Sequence, residues 1–214
     1  MGDKIMKIKW ITHACFQITT NDNMVIYFDP YEIKSGEAKA DIILVSHDHY
    51  DHADMGSIKN VLKDDTVIVC PENCAKKFKN MNVKPLKVGD SIEIKGIKIK
   101  AVRAYNVGKM FHPKNKNWLG YIVEIEGKKV YHAGDTDLIE EMKELGEIDI
   151  AMIPVGDTYT MGFKDGVNAL KYIKPKICLP MHQWDHDLNE FKKMAESEVP
   201  DVKIELIEGK IFEY

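Results

Sequence analysis

His47, His49, Asp51 and His52 place three imidazoles and a carboxylate within six positions of a 214-residue chain. Imidazole nitrogen and carboxylate oxygen are the donor atoms that zinc, manganese and ferrous iron accept. Only eight histidines occur in the whole sequence, so this grouping is a signal rather than a consequence of composition. Residues two apart on an extended backbone point the same way, which lets His47 and His49 share one cation. Asp51 and His52 follow once the chain has begun to turn, and can face a second cation nearby. The apolar run Ile42-Ile43-Leu44-Val45 directly in front reads as a buried strand. The donors therefore sit at the carboxyl end of a core strand, where open α/β sheets hold their sites.

Two later stretches have the same form. Asp135 follows a strand ending near His132 and sits beside Gly134, a residue that permits close backbone approach. Asp135 and Asp137 could alternatively cap a helix beginning near Leu138, a role that suits Asp137 well. Pro180-Met181-His182 follows the apolar strand Ile177-Cys178-Leu179, while His186 reads as loop surface. The sequence has no Gly-x-Ser-x-Gly elbow and no phosphate loop of the Gly-x-x-x-x-Gly-Lys type.

His47-x-His49-x-Asp51-His52 after a hydrophobic strand resembles the signature of the metallo-β-lactamase superfamily of metal-dependent hydrolases. The resemblance extends to His132-Ala133-Gly134-Asp135-Thr136 and Pro180-Met181-His182, and covers the chain from Trp10 to the last strand. Ser46-His47-Asp48-His49-Tyr50-Asp51-His52 is most similar to the branch of ascorbate-6-phosphate lactonases and N-acylphosphatidylethanolamine phospholipase D. The resemblance implies two divalent ions, zinc foremost and manganese or iron as alternatives. It assigns His47, His49 and His112 to one ion and Asp51, His52 and His182 to the other, with Asp135 shared. His112 stands for a histidine that some relatives carry where this chain has Asn106. It further implies a metal-activated hydroxide attacking a small ester, lactone or phosphodiester, with Asp51 and Asp135 as the catalytic carboxylates. His13, in Thr12-His13-Ala14, and Asp29, before Pro30, would support the ligands from behind; Asp29 could equally be a turn residue.

The loops 105–118 and 158–161 are the expected substrate walls. From them Asn106, Lys109, Trp118 and Tyr159 are the candidate contacts, with Lys109, Lys114 and Lys116 available to an anionic group or merely solvated. Phe111 and Trp118 could stack on a substrate or be tucked into the local core. A phosphodiesterase or phospholipase-like hydrolase is the competing activity. A di-iron redox protein or a non-catalytic metal-binding protein would be a different class.

The elements that must position these residues follow from periodicity. Short strands at 6–10, 15–19 and 25–28 lead to the cluster, with a turn at Asn21-Asp22-Asn23. A helix over 55–62, a strand over 66–70 and a short helix over 72–78 come next. Two hairpins, 91–94 with 97–102 and 119–125 with 128–132, precede alternating helices (139–145, 164–173, 188–195) and strands (148–154, 177–180). The last two strands, 202–207 and 210–213, turn at Glu208-Gly209 as a hairpin. Two mixed sheets packed face to face with helices outside, a four-layer αββα sandwich of the α/β class, accommodate this order within one domain over 1–214.

A net charge of −4 gives no electrostatic reason to expect nucleic acid as a partner. A small-molecule substrate, possibly carrying negative charge, is the expected partner, and an oligomer is compatible with the composition. Four cysteines without a Cys-x-x-Cys pair read as buried and free. With charged Asp3, Lys4 and Lys7 in the leading segment and no membrane-length apolar run, the expected location is the cytoplasm.

Overall fold

A computed structural model describes residues 5–214, so Asp3 and Lys4 lie outside it. Two sheets of seven strands form its centre. The first contains β1 (Lys7–Thr12), β2 (Cys15–Thr19), β3 (Val25–Phe28), β4 (Ile42–Leu44), β5 (Val67–Pro71) and β6 (Val83–Leu86). The second contains β7 (Ser91–Ile94), β8 (Ile97–Arg103), β9 (Leu119–Ile125), β10 (Lys128–His132), β11 (Ile150–Pro154), β12 (Ile177–Met181) and β13 (Lys203–Ile204). The final strand, β14 (Ile211–Glu213), returns to the outer edge of the first sheet beside β1. Both sheets are mixed: β3 to β6 run parallel, as do β10 to β13, and the other pairs are antiparallel.

Alternation along the strands builds both sides of the first sheet. Phe16, Ile18, Ile26, Phe28, Ile42, Leu44, Val67 and Val69 join the large core together with residues of the second sheet. The intervening Cys15, Tyr27, Ile43, Ile68 and Cys70 face the other way and pack under helix α1 (Met55–Val61) through Ile58 and Val61. Helices α2 (Phe163–Ile173) and α3 (Leu188–Glu198) bury Val167, Leu170, Ile173, Phe191 and Ala195 in the large core. Gly166 lets α2 approach closely, since a Cβ there would lie 2.9 Å from Val155 and 3.0 Å from Phe191.

Three expectations need correction. The last two strands are not a hairpin: the turn at Gly209 forms, but β13 pairs with β12 in one sheet and β14 with β1 in the other. Each completes an edge that would otherwise expose unpaired backbone. The segments Glu72–Phe78 and Glu140–Glu144 are 3-10 helices rather than α-helices. Finally, β6 has no counterpart in the sequence reading because Pro85 interrupts it, and it is tolerated as an edge strand. Among the described residues, no helix is long and apolar enough to cross a membrane.

Candidate metal centre

The loop that carries the histidine cluster is fixed at both ends. Its start is held to the second sheet, because Leu119 N donates to Ser46 O (3.0 Å) and Tyr121 Oη to Val45 O (2.7 Å). Its middle turns on His49 O, which accepts from His52 N (3.2 Å) and Ala53 N (3.0 Å). Its end is the N-cap of α1, where the Asp54 carboxylate accepts from Gly56 N and Ser57 N. Three imidazoles and a carboxylate from elsewhere in the chain converge on this loop.

Three donor groups result, each with its atoms within 4.8 Å of one another: His47, His49 and His112; His13, Asp51, His52 and His182; and His47, His52 and Asp135. Asp135 stands between the first two. Its Oδ2 lies 3.0 Å from His182 Nε2, 3.2 Å from His112 Nε2, 3.3 Å from His52 Nε2 and 3.9 Å from His47 Nε2. One carboxylate thus reaches two imidazoles of each group. The adjacent Gly134 has φ +61°, and a Cβ there would come within 2.9 Å of Leu119 O and Ser46 Cβ. Glycine is therefore needed to bring Asp135 in.

His13 belongs to the donor set rather than behind it. Its Nε2 is 3.3 Å from Asp51 Oδ2, and its ring centroid is 3.8 Å from that of His182. A left-handed turn (φ 51°) between β1 and β2 projects it inward, and its carbonyl accepts from His182 N. Nothing in the spacing of Thr12-His13-Ala14 encodes that turn.

Asp29 lies behind the donor groups, against Ser46 and His52. Buried at 1% exposure, it accepts from Ser46 N (2.7 Å) and Ser46 Oγ (2.7 Å), and its Oδ2 lies 2.8 Å from His52 Nδ1. A carboxylate only accepts, so it fixes one His52 proton on Nδ1 and leaves Nε2, on the side of Asp135, as the nitrogen available to a metal. Ser46 Oγ spends its proton on Asp29 and accepts from His47 Nδ1 at 2.9 Å, so His47 Nε2 is freed in the same way. One carboxylate sets the tautomer of an imidazole in each group.

The other candidates are redistributed. Asn106 lies behind His112 rather than on the wall. Its Oδ1 accepts from His112 N and Nδ1, both at 3.0 Å, and its Nδ2 donates to Tyr159 O, which turns His112 Nε2 inward. Lys109 is consumed by loop closure, donating to Asp137 Oδ1, Asp157 O and Thr160 O. Asp137 consequently caps no helix and instead holds Lys109 and Val107 N. Trp118 is buried and packs its ring 4.9 Å from those of His47 and His49, forming the back of the first group. Tyr159 does line the opening. His132 stacks on Phe28 and bonds to Ala14 O, outside the donor set. His186 packs on Phe163, away from the opening.

Burial and mutual proximity shape the charge of the site. Burial, reinforced by neighbouring imidazoles, holds His47 well below its ordinary range and lowers His49. Burial also lowers His13, against the pull of Asp51. For His52, burial acts downward, but Asp135 and Asp29 outweigh it and hold its pKa well above the usual value. Asp135 is raised by burial yet lowered further by His182, His52 and His112, and ends well below the carboxylate range. His13 Nε2, His52 Nε2, His112 Nε2, His182 Nδ1 and Asp135 Oδ1 are buried without a hydrogen-bond partner. Such orphaned atoms are costly unless something accepts their lone pairs, and a borderline divalent cation does. The residues fit a metal. Burial pushes the Cys15 and Cys70 thiols up to about 12, so neither offers a thiolate.

Beside these donors opens a cavity of about 290 Å³, with Asp51, Asp135, His49, His112 and His182 at its floor and Tyr50, Phe111, Tyr159 and Trp184 around it. No spacing in Gln183-Trp184-Asp185 singles Trp184 out as a cavity residue. Gly156 makes room for the His182 strand end, since a Cβ there would fall 2.1 Å from His182 O.

Residues 7–182 match a family model described as a β-lactamase superfamily domain. A UPF0173 metal-dependent hydrolase of Bacillus thuringiensis is 34% identical, with 83% of this chain and 85% of that protein covered. One from Archaeoglobus fulgidus is 30% identical over 98% of this chain and 99% of its own length. A crystal structure from Parabacteroides distasonis, of a protein whose name assigns it as a metal-dependent hydrolase, superposes with a TM-score of 0.87. It is 38% identical, over 94% of this chain and 92% of that one.

Proposed function

Because the chain belongs to the metallo-β-lactamase superfamily, in the family of UPF0173 metal-dependent hydrolases, we propose that it is a binuclear hydrolase of small esters, lactones or phosphodiesters. The observation that carries this reading is Asp135, whose Oδ2 lies 3.0–3.9 Å from imidazoles of both donor groups. His47, His49 and His112 would hold one ion, and Asp51, His52 and His182, joined by His13, the other, with Asp135 shared. Zinc suits a set of six imidazoles and two carboxylates in which no thiolate takes part. When bound, two such ions supply a hydroxide at neutral pH, lowering the pKa of water from 15.7 to about 7, and polarise the scissile oxygen.

The protein's own residues do the rest. Asp51, whose Oδ2 lies 3.3 Å from His13 Nε2, stands at the cavity floor and orients the attacking water. Asp29 and Ser46 hold a proton on Nδ1 of His52 and His47, which makes Nε2 the nitrogen available to metal. Trp118 closes the back of the site, so water reaches the donors from the cavity side. The SHDHYDH stretch supports the lactonase and phospholipase D-like branch, and lactones or esters are preferred to phosphodiesters. One domain over 1–214, a small-molecule partner and a cytoplasmic location complete the proposal; the four free, buried cysteines support the last. Chelator treatment should abolish hydrolysis of an ester, lactone and bis-p-nitrophenyl phosphate panel, and added zinc should restore it. Hydrolysis unaffected by metal removal would contradict the reading.

A further inference from the structure

Nine large hydrophobic side chains are exposed among the described residues, and four of them, Tyr50, Phe111, Tyr159 and Trp184, surround this one cavity. They are not scattered. Phe111 meets Tyr159 edge-on at 4.6 Å, Tyr159 meets Trp184 at 5.8 Å, and Trp184 reaches the rings of His13 at 5.2 Å and His182 at 5.7 Å. The aromatic surface therefore runs unbroken from the rim down to the donor atoms. Half-exposed aromatics contiguous with a reactive centre mark a place where an apolar group is received.

Charge points the same way. No lysine or arginine lines the cavity. The nearby cations are engaged elsewhere: Lys109 with Asp137 and two carbonyls, Lys114 with Tyr105 and Glu141, and Lys77 with Asp48 O. A substrate's reacting group would meet metal, while the rest of it meets only rings. At about 290 Å³ the space sits at the small end of ligand pockets, which span about 300–1,000 Å³, and suits one ring rather than a lipid body.

We propose that this collar selects substrates carrying an uncharged aryl or branched-alkyl group beside the scissile bond, and discriminates against those with an anionic group at the distal end. This replaces the expectation of an anionic substrate served by Lys109. It rests on the reading of the donor cluster as a metal-dependent site.

The test is calorimetric titration of the zinc-loaded chain with phenylacetohydroxamic acid and its para-carboxylate analogue, which share a metal-binding head and differ only in distal charge. The apolar ligand should bind at least about tenfold more tightly, within the ~10–200-fold that such pockets achieve. Trp184→Ala and Tyr159→Ala should each reduce that ratio to below about threefold, and Trp184→Phe should retain most of it. Equal binding of the two ligands, tighter binding of the carboxylate, or a ratio unchanged in both alanine variants would overturn the proposal. In parallel, kcat/KM is measured for phenyl esters with and without the distal carboxylate. A retained binding ratio with no hydrolysis of any ester would support the collar while removing the hydrolase reading. Hydrolysis without preference would do the reverse.

Discussion

Replacing Asp29 by Asn tests how the donor atoms are prepared for metal. The backbone there has φ 42°, a left-handed conformation that asparagine adopts as readily as aspartate, so the substitution leaves the turn intact. The amide can still accept from Ser46 N, now 2.7 Å from Oδ1. At the Oδ2 position, 2.7 Å from Ser46 Oγ and 2.8 Å from His52 Nδ1, it presents an N–H instead of an acceptor. That donor favours the His52 tautomer protonated on Nε2, the atom that should bind metal, and releases Ser46 Oγ from its role toward His47. Losing a carboxylate behind a ligating histidine costs about 10–100-fold in metal affinity, or about 1.4–2.7 kcal/mol. The ion held by His52 should weaken by that much, and the ion held by His47 by less, because its link to Asp29 passes through Ser46. Competition with a chromophoric chelator gives both constants. Circular dichroism checks folding, with Tm falling about 2–4 °C per kcal/mol lost. Affinities within twofold of the parent for both ions would rule out this role for Asp29, as would a loss confined to the His47 ion.

Other outcomes follow from the same geometry. His13→Ala should weaken the ion of the Asp51, His52 and His182 group by about tenfold and spare the other, as measured by the same competition assay. Gly156→Ala forces a Cβ to within 2.1 Å of His182 O; overpacking of this kind costs about 1–3 kcal/mol, read as a lowered Tm. For pH, burial lowers His47, His49 and His13, which stay neutral below their usual range, whereas the Asp135 and Asp29 carboxylates raise His52. Metal must displace the second proton of His52 wherever it is present, so affinity should rise with pH until the raised pKa of His52 is passed, with proton release detectable by calorimetry in buffers of differing ionisation enthalpy. The stability signs are opposite: the His52 contribution is present below pH ~6.5 and lost as pH rises through its folded value, while the lowered histidines cost stability as pH falls below ~6.5.

The histidine loop was legible because its chemistry is local. His47, His49, Asp51 and His52 follow a buried strand, and period-two alternation in β3, β4 and β5 places that strand between two apolar faces. Asp135 and His182 sit at strand ends of the same kind, and their convergence follows from parallel strands sharing one carboxyl edge. What escaped depends on backbone turns or on distant partners. His13 enters the donor set through a left-handed residue that Thr-His-Ala does not announce. Asn106, Lys109 and Trp118 have residue types suited to a wall, yet Asn106 and Lys109 are drawn to partners in loop 157–160 and to Asp137, and Trp118 packs behind the imidazoles of His47 and His49. The terminal strands looked like a hairpin because the turn at Gly209 is local, whereas the choice between two sheet edges is not. The 3-10 helices share i, i+3 contacts with α-helices, so periodicity over five to seven residues does not separate them.

In the proposed site one carboxylate, Asp135, joins two ions. Zinc bound per chain, measured by elemental analysis after dialysis of the reconstituted protein, tests it most directly when Asp135→Ala is set beside the parent. The parent should retain about two equivalents, as in other two-metal hydrolytic sites, and the variant one or fewer. A parent chain that retains no zinc, or a variant that retains as much as the parent, would contradict it.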